Sequence, residues 1–377
     1  MKIGIFIDNF YLTQAQKDPG IIGVFLAKKQ EVIFYCFETD IESYRGLKIK
    51  KISKTQARNS RFWIKENNEF IIFYSWLSLK FSSIIRALSK TTSKLILKMD
   101  SDGHLIFPLR PTYLKTGPKN YTLKLSALFI FRIIQWFIFP KIISRKKIKQ
   151  IKNCAALIIE SPLALNNLQK SLKYWNLENL NDKLFFIPNP INPPKNLETI
   201  KKENIIISIG RWDDKRKNGS GLVKALSGPE YFPDWNFILV GNGSNRLKEK
   251  IKAENKQINI SAFEYIEHDE LIKVLQKAKI CFAPSICESF GIAAAESLSV
   301  GASLAGTPLE SFKYLINDKF GTLADDFSEK KIKKALIEDI EKWERNAYNP
   351  AEIKNYISLN LDPEKIISEI EKVMEKI

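Results

Sequence analysis

The sequence has 377 residues, a hydrophobic content of 45% and a formal net charge of +17. That length and apolar content suit two domains with packed cores and exclude a collagen-like or extensively disordered chain. Four cysteines without a CxxC pair and only two histidines make a zinc cluster or a disulfide framework unexpected and fit a reducing cytoplasm.

The first half alternates short apolar segments with helix-like ones. The N-terminal stretch Lys2–Ile7 is expected to be a strand rather than a secretory signal, because it lacks a long apolar core and a cleavage site. Further strands are predicted at Glu31–Phe37, Phe70–Tyr74, Lys94–Lys98, Ala156–Ile159 and Leu184–Ile187. This alternation indicates an α/β domain.

The second half alternates more regularly. Strands are predicted at Ile205–Ile209, Asn236–Val240 and Lys279–Ala283, and helices at Gly221–Leu226, Asn245–Glu254 and Asp269–Lys277. Short apolar strands between helices indicate a parallel sheet covered on both faces. Ligands of such sheets bind at the carboxyl ends of the strands, so the loops that follow the strands are the expected functional region.

A proline-rich segment marks the domain boundary. Four of the seven residues in Pro188–Pro194 are proline, which predicts a stiff linker. We therefore expect a first domain at 1–190 and a second domain at 191–361. Residues 362–377 are expected to form a capped helix that packs back on the first domain.

The positive charge is concentrated in the first half. Residues 51–150 hold 20 Lys/Arg and 4 Asp/Glu, which favours a polyanionic partner such as an anionic membrane surface over a merely solvated lysine-rich surface. The apolar segment Leu125–Ile143 contains Arg132 and Pro140, so a membrane span is not expected. An interfacial helix and a buried helix both remain open for this segment.

Two carboxylates flank a small apolar run in CESFGIAAAES. Glu288 and Glu296 follow a predicted strand and enclose Phe290-Gly291, where a helix is expected to begin. Backbone N–H groups at a helix start bind phosphate. Carboxylates on either side could therefore accept hydrogen bonds from hydroxyls at both ends of a ligand made of sugar, diphosphate and ribose.

Cations that could neutralise a diphosphate follow an earlier strand. Arg211 comes directly after Gly210, and Lys217 follows six residues later in GRWDDKRKNG. Lys215 and Arg216 are interpreted as basic surface residues of the same loop. The Gly241-Asn242-Gly243 turn is interpreted as structural.

These motifs resemble the family 4 retaining glycosyltransferases of GT-B fold, within the glycosyl transferases group 1. The resemblance is carried by GRWDDKRKNG, LVGNGSNRL and the stretch around CESFGIAAAES, over about residues 204–325. It implies an α/β protein with two Rossmann-like domains whose parallel sheets face a central cleft. The domain at 1–190 would bind the acceptor and the domain at 191–361 the nucleotide sugar.

The resemblance also implies roles for individual residues. Glu288 would contact the transferred sugar, Glu296 the ribose, and Arg211 and Lys217 the diphosphate. Glu264 stands where the family usually has glycine, so the contacts to the base are left open. The other donor-binding positions in this half would be Gly210, Tyr265, Ile266, Ser289, Phe290, Gly291 and Ile292.

Two N-terminal segments match the family less closely. Gly20 and Gly23 resemble a glycine-bearing loop near the donor phosphates. Asp100 or Asp102 is expected to orient the acceptor hydroxyl or accept its proton. Asp100-Ser101-Asp102 also has the D-x-D form of metal-dependent glycosyltransferases of another fold, an alternative that we disfavour.

The expected activity is transfer of a hexose, with retention and without a metal or cofactor, from a UDP- or GDP-sugar to a saccharide or lipid-linked acceptor. Polysaccharide, lipopolysaccharide or glycolipid synthesis in the cytoplasm, or at the inner face of its membrane, is the expected setting. A UDP-GlcNAc 2-epimerase-like enzyme is the first alternative. A nucleic-acid-binding protein is the second, and it is disfavoured because the charge avoids the best-patterned domain.

Overall fold

The computed structural model of the chain describes residues 1–99, 101, 103–105, 140–191, 200–227 and 234–377. Contacts between residues divide these into two compact units. Unit 1 consists of Met1–Pro190 together with Pro363–Ile377, and unit 2 consists of Ile191–Asp362. The chain therefore crosses between the units twice. Of the residues singled out above, Asp100, Asp102 and most of Leu125–Ile143 lie outside the described residues.

Unit 1 contains an eight-stranded sheet of order β3-β4-β2-β1-β5-β6-β7-β8, in which only the β3–β4 pair is antiparallel. Its strands are β1 Lys2–Phe6, β2 Glu31–Cys36, β3 Ser43–Tyr44, β4 Leu47–Lys51, β5 Phe70–Tyr74, β6 Lys94–Met99, β7 Ala156–Ile159 and β8 Leu184–Phe186. The six predicted strands are confirmed to within one residue at each end. β3 and β4 were not predicted.

Helices cover both faces of this sheet, and aromatic and aliphatic side chains fill the space between them. They are α1 Leu12–Ala15, α2 Asp18–Leu26, α3 Lys54–Ala57, α4 Ser60–Glu66, α5 Ser82–Leu88, α6 Pro140–Asn153 and α7 Pro162–Tyr174, with 3-10 turns at Leu79–Phe81 and Glu178–Lys183. None of the helices in the described part of the chain combines the length and apolar character needed to span a membrane.

Unit 2 contains a six-stranded, wholly parallel sheet of order β11-β10-β9-β12-β13-β14. Its strands are β9 Glu203–Ile209, β10 Asn236–Val240, β11 Ile260–Phe263, β12 Ala278–Ala283, β13 Ser303–Gly306 and β14 Gly321–Leu323. The three predicted strands are confirmed as β9, β10 and β12. The shorter strands β11, β13 and β14 were not predicted.

The helices of unit 2 follow its strands along the chain, as in other doubly wound domains. They are α8 Gly219–Leu226, α9 Ser244–Glu254, α10 His268–Lys277, α11 Ile292–Ser299, α12 Glu310–Ile316, α13 Glu329–Glu344 and α14 Pro350–Leu361, with a 3-10 turn at Lys215–Lys217. The three predicted helices are confirmed as α8, α9 and α10, each beginning one or two residues earlier than expected.

The final helix, α15 Pro363–Lys376, packs within unit 1. Its apolar face joins the same core as strands β1 and β2, through buried residues that include Ile366 and Ile370. On its exposed side Glu364 accepts from the Lys28 ammonium at 2.9 Å, a surface ion pair. Unit 1 is thus completed by residues that follow unit 2 in the sequence.

Candidate active site

The candidate site lies at the carboxyl edge of the unit 2 sheet. Four loops emerge there, at 210–218 after β9, 241–243 after β10, 264–267 after β11 and 284–291 after β12. Because all strands of this sheet are parallel, these loops share one edge, which is where α/β sheets bind ligands.

Lys217 and Glu288 form the central contact of the site. The Lys217 Nζ lies 2.6 Å from Glu288 Oε1, and the two side chains are 24% and 15% exposed. The Ser285 hydroxyl donates to the same glutamate oxygen at 2.7 Å. A Cβ at Gly210 would lie 3.3 Å from the Lys217 Cγ, so the glycine leaves room for the lysine stem.

Two hydrogen bonds tie the lysine loop to the glutamate loop. The Ile286 N–H donates to the Arg216 carbonyl at 2.8 Å. The Asn218 side-chain amide donates to the Pro284 carbonyl at 3.0 Å, while its own oxygen caps helix α8. Asn218 has φ of +55°, a left-handed conformation that asparagine tolerates better than most residues. These bonds fix Lys217 opposite Glu288.

The arginines of the same loop have other partners than the glutamate. The Arg216 guanidinium donates hydrogen bonds of 2.7 to 3.2 Å to both oxygens of the buried Asp214 carboxylate. These bonds raise the pKa of the Arg216 guanidinium. Arg211 is 71% exposed and lies 3.6 Å from the same carboxylate. Arg216 is therefore more than the surface residue expected from the sequence, because it organises the loop.

The segment before α11 presents backbone rather than side chains. Phe290 is buried in the core of unit 2, so only its backbone can face a ligand. Gly291 caps helix α11 with φ of +90°, and a Cβ there would lie 2.9 Å from the Phe312 ring. The helix then starts at Ile292 as expected, with first-turn N–H groups that have no partner four residues back within the helix.

Glu296 lies on α11 and contacts His268, the first residue of α10. The His268 Nε2 is 3.3 Å from Glu296 Oε1, and the side chains are 31% and 18% exposed. The two glutamates therefore each have a cationic or polar partner on a different element. The contact of Glu296 was not foreseen from the sequence.

The segment after β11 carries the residues expected near a base. Tyr265 is exposed, and a hydrogen bond to the Glu267 carboxylate raises the pKa of its phenol. Ile266 packs against the apolar cluster between α10 and the sheet. Ile266 thus anchors the segment, whereas Tyr265 stays exposed.

Glu264, the first residue after β11, bonds through its side chain to the glycine turn that follows β10. Its carboxylate accepts from the N–H of Gly243 at 2.6 Å and of Asn245 at 3.1 Å, which caps helix α9. Gly241 has φ of +109°, and a Cβ there would lie 2.1 Å from the Gly210 carbonyl oxygen. These contacts are consistent with the structural interpretation of the turn and give Glu264 a structural partner of its own.

Gly20 and Gly23 do not lie in a loop, which corrects the expectation from the sequence. Both are buried in helix α2, which begins with Asp18 and Pro19. A Cβ on Gly20 would lie 1.8 Å from the Ala15 carbonyl oxygen. A Cβ on Gly23 would meet the Phe34 ring at 2.3 Å. Close packing accounts for both glycines, and their donor-binding role stays a prediction.

A buried polar cluster lies at the carboxyl edge of the unit 1 sheet. We call Asp18, Lys98, Glu160 and Asn189 the Lys98 cluster. The Lys98 ammonium donates to Asn189 Oδ1 and lies 3.4 Å from Asp18 Oδ2. The Asn189 amide donates to Glu160 at 2.6 Å. Lys98 is 1% exposed, so its ammonium does not face solvent as a ligand-binding cation would.

Only part of the expected acceptor loop is described. Asp100 and Asp102 lie outside the described residues, and their role stays a prediction. Gly103 has φ of +75°, and a Cβ there would lie 1.9 Å from the Ala164 carbonyl oxygen. Gly103 therefore lies against the start of α7, where only glycine fits.

Part of the chain matches the sequence model of a known protein family. Residues 192–356 match the model of the glycosyl transferases group 1. The matched stretch contains Arg211, Lys217, Glu288 and Glu296. The chain carries a group 1 glycosyltransferase domain. No curated protein sequence matches the chain.

Solved structures resemble the whole chain that carries the group 1 domain. Sucrose-phosphate synthase from Thermosynechococcus elongatus is 14% identical over 100% of this chain and 98% of its own, with a TM-score of 0.68. WaaG, a glycosyltransferase involved in lipopolysaccharide biosynthesis, is 12% identical over 99% of both chains, with a TM-score of 0.65.

A third structure, described as trehalose-6-phosphate from E. coli bound with UDP-2-fluoro glucose, is 10% identical over 100% of this chain and 99% of its own, with a TM-score of 0.68. At these identities the likeness concerns the fold. The chain thus has the GT-B fold, with an α/β domain in each of its units.

Proposed function

We propose that the protein transfers a hexose, with retention of anomeric configuration, from a nucleoside diphosphate sugar to an acceptor hydroxyl. The observation that carries this proposal is the half-buried Lys217–Glu288 contact beside the start of helix α11. A cation, a carboxylate and free helix N–H groups are the three chemistries that a diphosphate sugar requires.

The reaction would proceed as follows on these residues. The bond between the anomeric carbon and the diphosphate breaks, the acceptor oxygen bonds to the same face, and the acceptor proton passes to the departing phosphate. Lys217 would stabilise the negative charge that develops on the leaving group. Glu288 would hold the hydroxyls of the sugar, and its second partner Ser285 keeps the carboxylate oriented when the lysine turns to phosphate.

A uridine donor is favoured by the resemblance to the E. coli structure, whose description names UDP-2-fluoro glucose. A guanosine donor is the other member of the proposed class. Thermal shifts with UDP-, GDP- and ADP-sugars will discriminate the nucleotides. Incubation with UDP-GlcNAc alone separates transfer from 2-epimerisation, because only an epimerase releases ManNAc without an acceptor.

The transfer is proposed to need no metal, since Lys217 can supply the positive charge that a divalent cation supplies elsewhere. Within the described residues no group of three or more His, Cys, Asp or Glu side chains could hold a metal ion. Product release assayed with and without EDTA tests this point. A loss of activity that Mg²⁺ or Mn²⁺ restores would reject metal independence and leave the transfer itself standing.

Substitution of the central pair tests the transfer. Lys217→Ala and Glu288→Ala should each lower kcat by about 10²–10³-fold, the loss typical of a missing electrostatic stabiliser. Lys215→Ala is the matched control, because Lys215 is an exposed cation of the same loop. Circular dichroism and melting temperature confirm the fold. Full activity in both test variants would refute the proposal.

The acceptor is proposed to be a saccharide or glycolipid at an anionic membrane surface. WaaG, a protein of similar fold, is described as involved in lipopolysaccharide biosynthesis. In this chain helix α6 carries exposed cations at Lys141, Arg145, Lys146, Lys149 and Lys152. Each cation near an anionic surface adds about 1 kcal/mol of attraction. We place the enzyme in the cytoplasm, at the inner face of its membrane.

Vesicle co-sedimentation tests this location. Replacing Lys141, Arg145 and Lys149 with Gln should reduce binding to vesicles that contain 30 mol% anionic lipid by about tenfold or more. A matched control replaces three exposed unit 2 lysines with Gln, namely Lys250, Lys252 and Lys256. Equal binding of both variants would reject the role of α6.

A further inference from the structure

His268, the first residue of α10, contacts a predicted donor-binding carboxylate that lies on another helix. Its Nε2 lies 3.3 Å from Glu296 Oε1. With the proton on Nε2 the ring donates to the carboxylate. We propose that His268 is a positioning residue that orients Glu296 toward the ribose of the donor. This inference rests on the proposed function.

The need for such a residue follows from the place of Glu296. Its side chain is 18% exposed, in the middle of the short helix α11, so without a partner the carboxylate would sample several rotamers. Fixing a glutamate side chain costs up to about 2 kcal/mol of conformational entropy. A contact that fixes it before the ligand arrives removes that cost from binding.

The geometry leaves the Glu296 carboxylate able to accept hydrogen bonds from two neighbouring hydroxyls. A carboxylate has two oxygens and about four acceptor sites. His268 contacts Oε1. Oε2 can therefore accept a hydrogen bond from one ribose hydroxyl, and the second lone pair of Oε1 can accept one from the other. The 2′- and 3′-hydroxyls of a ribonucleotide are neighbours and suit two such acceptors.

His268 is itself held by the local structure. It is the first residue of α10, and that helix packs against α11 and β9 through apolar contacts that include Ile272 and Leu275. On its own helix the Asp269 carboxylate lies 3.9 Å from the His268 Nδ1, though Asp269 is almost fully exposed. The stronger contact of the ring is therefore with Glu296.

Ribose discrimination gives a readout that a structural role alone would not move. For the wild-type protein we expect the ribonucleoside diphosphate to bind at least about tenfold more tightly than its 2′,3′-dideoxy analogue, the value of one charge-assisted hydrogen bond. Glu296→Ala should remove that preference. His268→Ala should reduce it by about fivefold or more, through weaker binding of the ribonucleotide only.

A conservative variant and a control sharpen the test. His268→Gln should retain most of the preference, because its amide nitrogen can donate from nearly the same place as Nε2. Asp269→Ala should leave it unchanged. In transfer assays His268→Ala should raise the donor KM by about fivefold while kcat stays within about twofold, since positioning affects ground-state and transition-state binding alike.

The outcomes separate this inference from the proposed function. If neither UDP nor GDP binds the wild-type protein in calorimetry, the proposed function fails. If a nucleotide binds and Glu296→Ala loses ribose discrimination while His268→Ala keeps it, only the inference is overturned. A parallel loss of ribo- and dideoxynucleotide affinity in His268→Ala also overturns it. An intact preference in Glu296→Ala overturns it as well.

Discussion

Both units carry polar side chains at the carboxyl edge of their sheets, but these side chains differ in how far they are exposed. In unit 1 Lys98, Glu160 and Asn189 are at most 2% exposed and Asp18 is 13% exposed, and the members of this cluster bond to one another. In unit 2 Lys217 and Glu288 also pair, but both keep part of their surface exposed. The difference indicates that the first set holds elements together, whereas the second can exchange partners with a ligand.

The Lys98 cluster connects parts of unit 1 that are distant in sequence. Asp18 begins α2, Lys98 lies in β6, Glu160 follows β7 and Asn189 is the next-to-last residue before the first crossing to unit 2. Removing one member of a buried charged cluster is strongly destabilising, because the remaining members are left uncompensated. Four predictions test the comparison.

The largest effect is expected from one substitution made in both units. Lys98→Met should lower the free energy of unfolding by about 3–5 kcal/mol, because Asp18 loses its cation and the buried Asn189 oxygen loses its donor. Lys217→Met should lower it by less than about 1 kcal/mol, since water can replace the partner of Glu288. Urea denaturation measures both. Similar losses would contradict the distinction between the units.

A smaller effect is expected when a carboxylate becomes an amide. Glu160→Gln should lower the free energy of unfolding by about 1–3 kcal/mol, because the Asn189 amide then faces a weaker acceptor beside a buried lysine. Glu288→Gln should change stability by less than about 0.5 kcal/mol while lowering transfer activity. Equal stability of the two variants would show that burial of the first carboxylate has no consequence.

In unit 2, removal of the side chain that caps α9 should have an intermediate effect on the free energy of unfolding. Glu264→Ala should lower the free energy of unfolding by about 1 kcal/mol, as expected for a lost helix cap. Glu264→Gln keeps an acceptor oxygen and should lose about half as much. Thermal melts of the three proteins check the order. A neutral Glu264→Ala would mean that the two N–H groups are satisfied by water.

The smallest effect is expected at the surface of α15. Lys28→Ala removes an ion pair whose side chains are 47% and 72% exposed, so the free energy of unfolding should change by less than about 0.5 kcal/mol. The change should vanish in 0.5 M NaCl. A larger and salt-insensitive loss would mean that exposed charges hold this helix more firmly than its apolar face does.

The longer strands could be predicted because their apolar runs are continuous, as in Ile205–Ile209. β4, Leu47–Lys51, escaped prediction because it alternates lysine with apolar residues near the edge of its sheet, where lysine discourages pairing with other chains. β14 has only three residues, too few for a pattern. The segment Asp18–Gly23 was misjudged because glycines that serve packing look like glycines that serve a loop.

For the site, the sequence located Lys217 and Glu288 because each follows a strand that ends at the same edge. It could not pair them with Ser285 and Asn218, whose contacts depend on how two loops dock. His268 was missed for the same reason, since its partner Glu296 lies on another helix. The KNG sequence around Asn218 was the one available signal, because Asn-Gly favours a left-handed turn.

The position of α15 has a consequence for biosynthesis. Domains generally fold in the order in which they leave the ribosome. Here Ile191–Asp362 is one continuous stretch that can fold as soon as it is made, whereas unit 1 lacks Ile366 and Ile370 until residues 363–377 follow. Unit 1 therefore cannot be completed until all of unit 2 has been made, and a chain that stops at Asp362 leaves unit 1 with an uncovered apolar face.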